Sequence, residues 1–190
     1  MPRGKQHTRR QIIDAAYALF RGRGYTRVNV DEIAAAAGIT KRTLYSHFES
    51  KDALLEGVLE EQHERAFAAF QTFGRQLVGK PETIVRLLFA DLLKWSATSK
   101  WAGSGFTRLA MELADLPGHP ARRIASAHKR LLEVHLAGAF AAAGVKNAAS
   151  CARQIWILSE GAMALVLIHG DRSYCKAAEA AALSVVAGER

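Results

Sequence analysis

Gly38-Ile39-Thr40-Lys41-Arg42-Thr43-Leu44-Tyr45-Ser46-His47-Phe48 decides how this chain reads. A glycine turn, a capping threonine, two adjacent cations and two aromatic side chains share one very short helix. Such a helix adds little core, but it is the right size and polarity to enter the major groove of a duplex. Immediately upstream, Asn29-Val30-Asp31-Glu32 signals a helix start, with Ile33, Ala34 and Ala37 facing inward. The run Ala34 to Ala37 lets this supporting helix approach closely, and Gly38 relieves the steric conflict of the turn. Two short helices around a glycine, the second rich in donors, form a helix-turn-helix pattern.

Within that pattern the side chains divide by chemistry. Leu44 and Phe48 stand at i, i+4 and pack inward. Thr40 caps the helix and can meet a phosphate. Lys41 and Arg42 reach phosphates or guanine edges, and Thr43 reaches base edges or a thymine methyl. Tyr45 and His47 flank the buried pair and project toward backbone oxygens, and Lys51 opens the next helix as a further phosphate candidate. Local roles compete with these: Tyr45 as cover between the first and third helices, His47 as a local hydrogen-bonding group, Thr40 as a cap alone.

Working outward, helical punctuation continues and strand-like alternation is missing. Thr8-Arg9-Arg10-Gln11 fits a capping box, followed by an Ile12, Ala16, Leu19, Phe20 stripe that Gly22 and Gly24 end. Ser50 caps a fourth helix whose Leu55, Leu59, Ala66, Phe70, Phe73, Leu77 stripe is long enough to link two bodies. Pro81, Gly103 to Gly105, Leu116 to Pro120, Gly144 and the stretch near Ile168 to Tyr174 punctuate five more helices. The expected fold is all-α with about nine helices. A three-helix DNA-binding head occupies residues 1–50, a linker helix starts near 51, and residues 51–190 form the body.

Charge supports that division. The net charge is +8, and residues up to His47 hold nine Lys/Arg against three acids, while the other 143 residues contribute only +2. An arm and head that meet phosphates carry this asymmetry. Apolar residues at 49% and charged residues at 23% are ordinary for a globular chain. The apolar segment Ile155 to Ile168 is interrupted by Ser159 and Glu160 and falls short of the roughly 20 residues a span requires, so it reads as a buried helix and no membrane is expected. No charged-then-apolar leader opens the chain, and Cys151 and Cys175 stand at no metal spacing, so the expected location is the cytoplasm.

From Thr8 to about Glu60 the chain resembles the TetR family of bacterial transcriptional repressors. The resemblance is carried by Ala15 to Phe20, Gly24-Tyr25-Thr26, Val30 to Ala34, Ala37-Gly38-Ile39, Leu44 to Phe48 and Lys51 to Leu54. It implies a dimeric regulator of a near-palindromic double-stranded operator, with a homodimer built on the last two helices and an effector pocket in each body. A ligand-released repressor is the expected function, and an activator or a regulator without an effector is the alternative. Asn29 stands where many relatives carry threonine, and either residue caps. Beyond about residue 65 only length and helix count are similar.

Residue chemistry in the body is compatible with these expectations. Helix eight offers Ile155, Trp156, Leu158, Ala162, Leu165, Val166 and Ile168 on more than one face, and helix nine adds Ala178, Ala181, Ala182, Val185 and Val186. This exceeds the apolar surface one small body needs to bury, which points to a second copy. An effector pocket among helices five to eight would draw on Trp95, Trp101, Phe106, Met111, His128, His135, Trp156, Glu160 and Met163. Glu160 interrupts an apolar helix and, if buried, needs a partner; His128, His135, Arg153 or a cationic ligand are candidates, with solvent or the dimer seam as alternatives. His128 and His135 share a helix face, but no nearby Asp or Cys completes a metal site, so no metal or cofactor is expected. The chain has no Gly-x-Ser-x-Gly elbow, His-Glu-x-x-His run or phosphate-cradling glycine loop, so no enzymatic activity is expected.

Overall fold

The computed structural model describes residues 3–99 and 101–188. The described residues form nine helices and no strand: α1 (Arg3–Arg23), α2 (Val30–Ala36), α3 (Lys41–Tyr45), α4 (Lys51–Gly74), α5 (Pro81–Ser96), α6 (Gly105–Glu112), α7 (Pro120–Ala142), α8 (Ala148–His169) and α9 (Ser173–Gly188). The all-helical class and the helix count agree with the sequence reading.

Two compact units divide the chain. The first takes residues up to 65 together with 105–127; the second takes 66–104 and 128 onward. The change of unit at Arg65 falls inside α4, so that one helix belongs to both. The first unit therefore takes in more than the leading fifty residues. Its core packs Ile12, Ala16, Ile33, Leu44, Phe48 and Leu55 with Phe106, Leu109, Leu113, Ala121 and Ala125.

Local chemistry sets the elements of the first unit. Asn29 caps α2 through the Glu32 N–H while the Glu32 carboxylate accepts from the Asn29 N–H, so the capping box is complete. After α2, Gly38 adopts φ +66°, a left-handed turn that a Cβ would strain. Thr40 caps α3 by accepting from the Thr43 N–H at 3.1 Å, and Ser50 caps α4 by accepting from the Ala53 N–H at 3.0 Å.

The expected cap at Thr8 is corrected. α1 already runs from Arg3, and the Thr8 hydroxyl donates to the Gly4 carbonyl at 3.1 Å from within the helix. Lys5, Gln6, Arg9 and Arg10 are good helix formers, and nothing between Gly4 and Thr8 breaks the ladder. The apolar stripe expected along α4 is interrupted at Ala66, which is exposed. Leu55 and Leu59 are buried in the first core, Phe73 packs against the second, and Leu77, beyond the helix end, is buried in the second.

In the second unit, Ile84, Val85 and Phe89 of α5 pack with Leu136 and Phe140 of α7, Ile155 and Ala162 of α8, and Ala182 and Val186 of α9. α8 is long and apolar enough to cross a membrane by length and composition. Here it buries Cys151, Ala152, Ile155, Ser159, Ala162, Met163 and Val166, and it holds an ion pair between Glu160 and Lys129. A core helix with one covered face fits those contacts.

Candidate nucleic-acid interface

α3 is a five-residue helix fastened by one side. Leu44 is fully buried and Phe48, just past its end, is 5% exposed. At 3.6 residues per turn, Arg42 lies roughly 160° from Leu44, opposite the core. Lys41 and Tyr45 flank it on one side and Thr43 on the other. Thr40, Lys41, Arg42 and Tyr45 are exposed, while Thr43 is half-buried. The Thr43 hydroxyl lies 2.9 Å from that of Thr40, so these two groups satisfy each other at the cap. Lys41 Nζ pairs with Asp31 at 3.0 Å across an exposed surface, a contact weak enough for a phosphate to displace.

The remaining two candidates sit differently. His47 is half-buried, and burial, followed by the nearby charges of Lys5 and Arg9, holds its imidazole below the ordinary histidine value. Lys51 is half-buried with its ammonium 4.1 Å from the centre of the Tyr25 ring. Burial lowers its pKa, while Asp52, Glu112 and Glu32 act to raise it. Lys51 is thus a fixed local cation rather than a freely reaching one. Thr40, Lys41, Arg42, Thr43 and Tyr45 gather on α3, and His47 and Lys51 lie at its far end and on the next helix.

A residue that the sequence reading did not single out organises the corner behind α3. The Glu112 carboxylate, at the end of α6, accepts from the Tyr25 N–H at 3.0 Å, the Thr26 N–H at 2.8 Å and the Thr26 hydroxyl at 2.7 Å. Burial alone would raise its pKa. The bonds from Thr26 and Tyr25 and the charge of Arg108 outweigh it, so the carboxyl is held below its ordinary value. Gly24 adopts φ +87°, and a Cβ there would lie 3.0 Å from Glu112 Oε1. Arg108 adds a bond from its guanidinium to the Arg21 carbonyl at the end of α1.

The Tyr25 hydroxyl donates to Asp52, and His119 Nε2 lies 3.6 Å from the same carboxylate. His119 Nδ1 accepts from the Ala121 N–H, which assigns the ring proton to Nε2. Burial, then Asp52, pushes the Tyr25 phenol above its ordinary value. No local pattern joins positions 86 or 87 residues apart, so the sequence carried no signal for this contact.

Comparison with known proteins identifies the assembly. Residues 12–58 match the family model described as bacterial regulatory proteins, tetR family. The A-factor receptor protein of Streptomyces griseus is 34% identical over 128 residues, 67% of this chain and 44% of that protein. The HTH-type transcriptional regulator TtgR of Pseudomonas putida is 42% identical over 59 residues, 31% of this chain and 28% of that one. This chain belongs to the TetR family.

The match to these two curated relatives spans less than half of their own length. Solved TetR-family structures extend the likeness of fold to the whole chain. A regulator from Streptomyces coelicolor superposes with a TM-score of 0.84 at 24% identity, covering 97% of this chain and 96% of its own. One from Cytophaga hutchinsonii gives 0.84 at 16% identity, covering 100% and 98%.

The residues expected to line an effector site in this TetR-family chain fall in both units. Phe106 is buried in the core of the first unit, and Met111, in the same unit, is exposed. In the second unit Trp95 and Trp101 meet edge to face at 5.8 Å. His135 stands edge-on to Phe67 and Phe70, with its Nδ1 2.8 Å from the Leu131 carbonyl. His128 and Met163 are buried.

Glu160 has an ion-pair partner that was not among those expected. Its carboxylate accepts from Lys129, whose ammonium also lies 5.5 Å from the centre of the Trp156 ring. Arg153 binds Glu133 instead, at 2.8 Å.

Proposed function

We propose that this chain is a sequence-specific, duplex-DNA-binding transcriptional regulator acting in the cytoplasm as a ligand-released dimeric repressor. The observation that carries this reading is α3: a helix packed inward through Leu44 and the following Phe48, with Arg42, Lys41 and Tyr45 turned outward. Residues 12–58, which include α3, match the family model, and relatives similar to part of this chain are named as HTH-type transcriptional regulators, which supports the same role here.

Dimerisation through α8 and α9 is supported by what those helices leave uncovered. Ile157, Gly161, Leu165 and Ile168 are exposed at helical spacing on α8, with Ala177, Ala181 and Ser184 on α9. Glycine and alanine allow close crossing, and the large aliphatics supply apolar area for a two-fold interface. Of the residues first assigned to that surface, Leu165, Ile168 and Ala181 are exposed, whereas Ile155, Ala162, Val166, Ala178, Ala182 and Val186 are buried within the unit.

Two heads on a dimer would meet successive half-sites of a near-palindromic operator. An effector that binds better to a conformation with mismatched heads would release the duplex by that difference in affinity. One relative is named a receptor, which supports a body that takes a ligand.

The test is selection of a duplex on the full chain, followed by titration of Lys41→Ala and Tyr45→Ala. Both variants should bind the selected duplex more weakly, with melting and sedimentation unchanged. No selectable duplex together with a strict monomer would overturn the proposal.

A further inference from the structure

We infer that the first two turns of α1 are a second duplex-contacting element, in which Lys5 and Arg9, beside His47, engage backbone phosphates flanking the base pairs that α3 reads. This rests on the duplex-binding reading above and extends it to a separate set of residues.

The inference starts from the inner stripe of α1. Phe20, Ala16, Ile13 and Ile12 are buried in the core of the first unit. Continued toward the helix start at the same spacing, the stripe reaches Arg9 and then Lys5. The face that packs on the head further along thus turns cationic where the core runs out. α1 does not stop there, since its ladder extends back to Arg3.

Arg9 is held in place. Its guanidinium lies 5.0 Å from the centre of the Phe48 ring. Gly57 makes room for it, because a Cβ at that position would sit 3.0 Å from Phe48 Cε1 and 3.2 Å from Arg9 Nη2. Lys5 is exposed. Arg9 thus sits against Phe48, the sequence neighbour of His47, and burial, followed by the charges of Lys5 and Arg9, disfavours charge on that imidazole.

Three other cations of the head have carboxylates: Arg23 with Glu32 at 2.6 Å, Lys41 with Asp31 at 3.0 Å and Arg10 with Glu61 at 3.6 Å. Among the described residues no carboxylate pairs with Lys5 or Arg9. Converging like charges raise the energy of the free protein, and an external anion relieves them. The anion at hand is the duplex that α3 enters, whose phosphates line both edges of the groove. A helix carrying these cations loses less freedom on binding than a loose arm would.

The experiment follows binding of the full chain to two labelled duplexes of equal length, one enriched by selection on that chain and one random, between about 50 and 200 mM KCl. Variants are Lys5→Gln, which removes an exposed charge, the double change Lys5→Gln with Arg9→Gln, and Arg130→Gln, an exposed cation on α7 in the second unit, as a control. Removing one lysine–phosphate or arginine–phosphate pair should lower the slope of log affinity against log salt by about 0.9 per bound head. The double variant should therefore lose about 1.8, so its deficit at 50 mM exceeds that at 200 mM by about tenfold per head. The deficit should be alike on both duplexes, because phosphate contacts carry no sequence information.

Unchanged slopes in Lys5→Gln and in the double variant, while Lys41→Ala still weakens binding, would overturn this inference and leave the parent reading standing. An equal fall in Arg130→Gln would reduce the effect to net charge and also overturn it. Failure of the unaltered chain to bind any selected duplex would end both readings.

Discussion

Leu44 holds α3 with no exposed surface, so its contribution to the head is packing alone. Leu44→Ala should cost about 2–5 kcal/mol, the range for truncating a well-packed leucine. Chemical denaturation would show the reduced stability, and binding to a selected duplex should fall with it. Arg42 gives the opposite expectation, because it lies opposite the core: Arg42→Ala should weaken duplex binding with melting nearly unchanged. Gly38 is a third kind of residue, at φ +66° with nothing within 4 Å of a Cβ. Gly38→Val should therefore destabilise the head by about 1–2 kcal/mol through backbone strain rather than collision, read as a lower melting temperature.

At the scale of elements, the contact between α6 and the corner that follows α1 is the one most open to test. Three hydrogen bonds converge on the Glu112 carboxylate, and those to an ionised acceptor are the stronger kind. Glu112→Ala should cost about 2–3 kcal/mol and loosen amide protection around Tyr25 and Thr26, measured by hydrogen exchange.

The pH dependence has a defined sign. The folded carboxyl sits below its ordinary value, so its stabilisation is complete above 4.5 and is lost as pH falls through the lower folded value. Melting curves taken across that acid range should fall more steeply for the unaltered chain than for Glu112→Gln. Equal curves would show that the charge of this group does not stabilise the corner. The same contact explains why a boundary at residue 50 missed part of the first unit. Capping boxes and stripes report on their own helix, whereas Leu109, Leu113 and Glu112 reach their partners only through the returning chain.

For the whole molecule, the proposed association is tested on α8. This helix covers one face with its own unit and leaves Ile157, Leu165 and Ile168 exposed on another. Leu165→Glu should convert the proposed dimer to monomer in sedimentation without unfolding the unit, and duplex affinity should drop because the two heads are no longer linked. A dimer that survives this change would move the interface elsewhere. Lys129→Met should destabilise the second unit by removing the ammonium that pairs with the partly covered Glu160 carboxylate, seen as a lower melting temperature.

The order of helices, the Asn29, Thr40 and Ser50 caps, the Gly38 turn and the outward set of α3 were all legible in the amino-acid sequence, because each depends on residues within one turn of one another. The partner of Glu160, the return of 105–127 to the first unit, the role of Glu112, and which apolar residues of α8 and α9 are covered were decided only by tertiary structure. Those features join positions tens of residues apart, where chain connectivity imposes no geometry and only packing selects which groups meet.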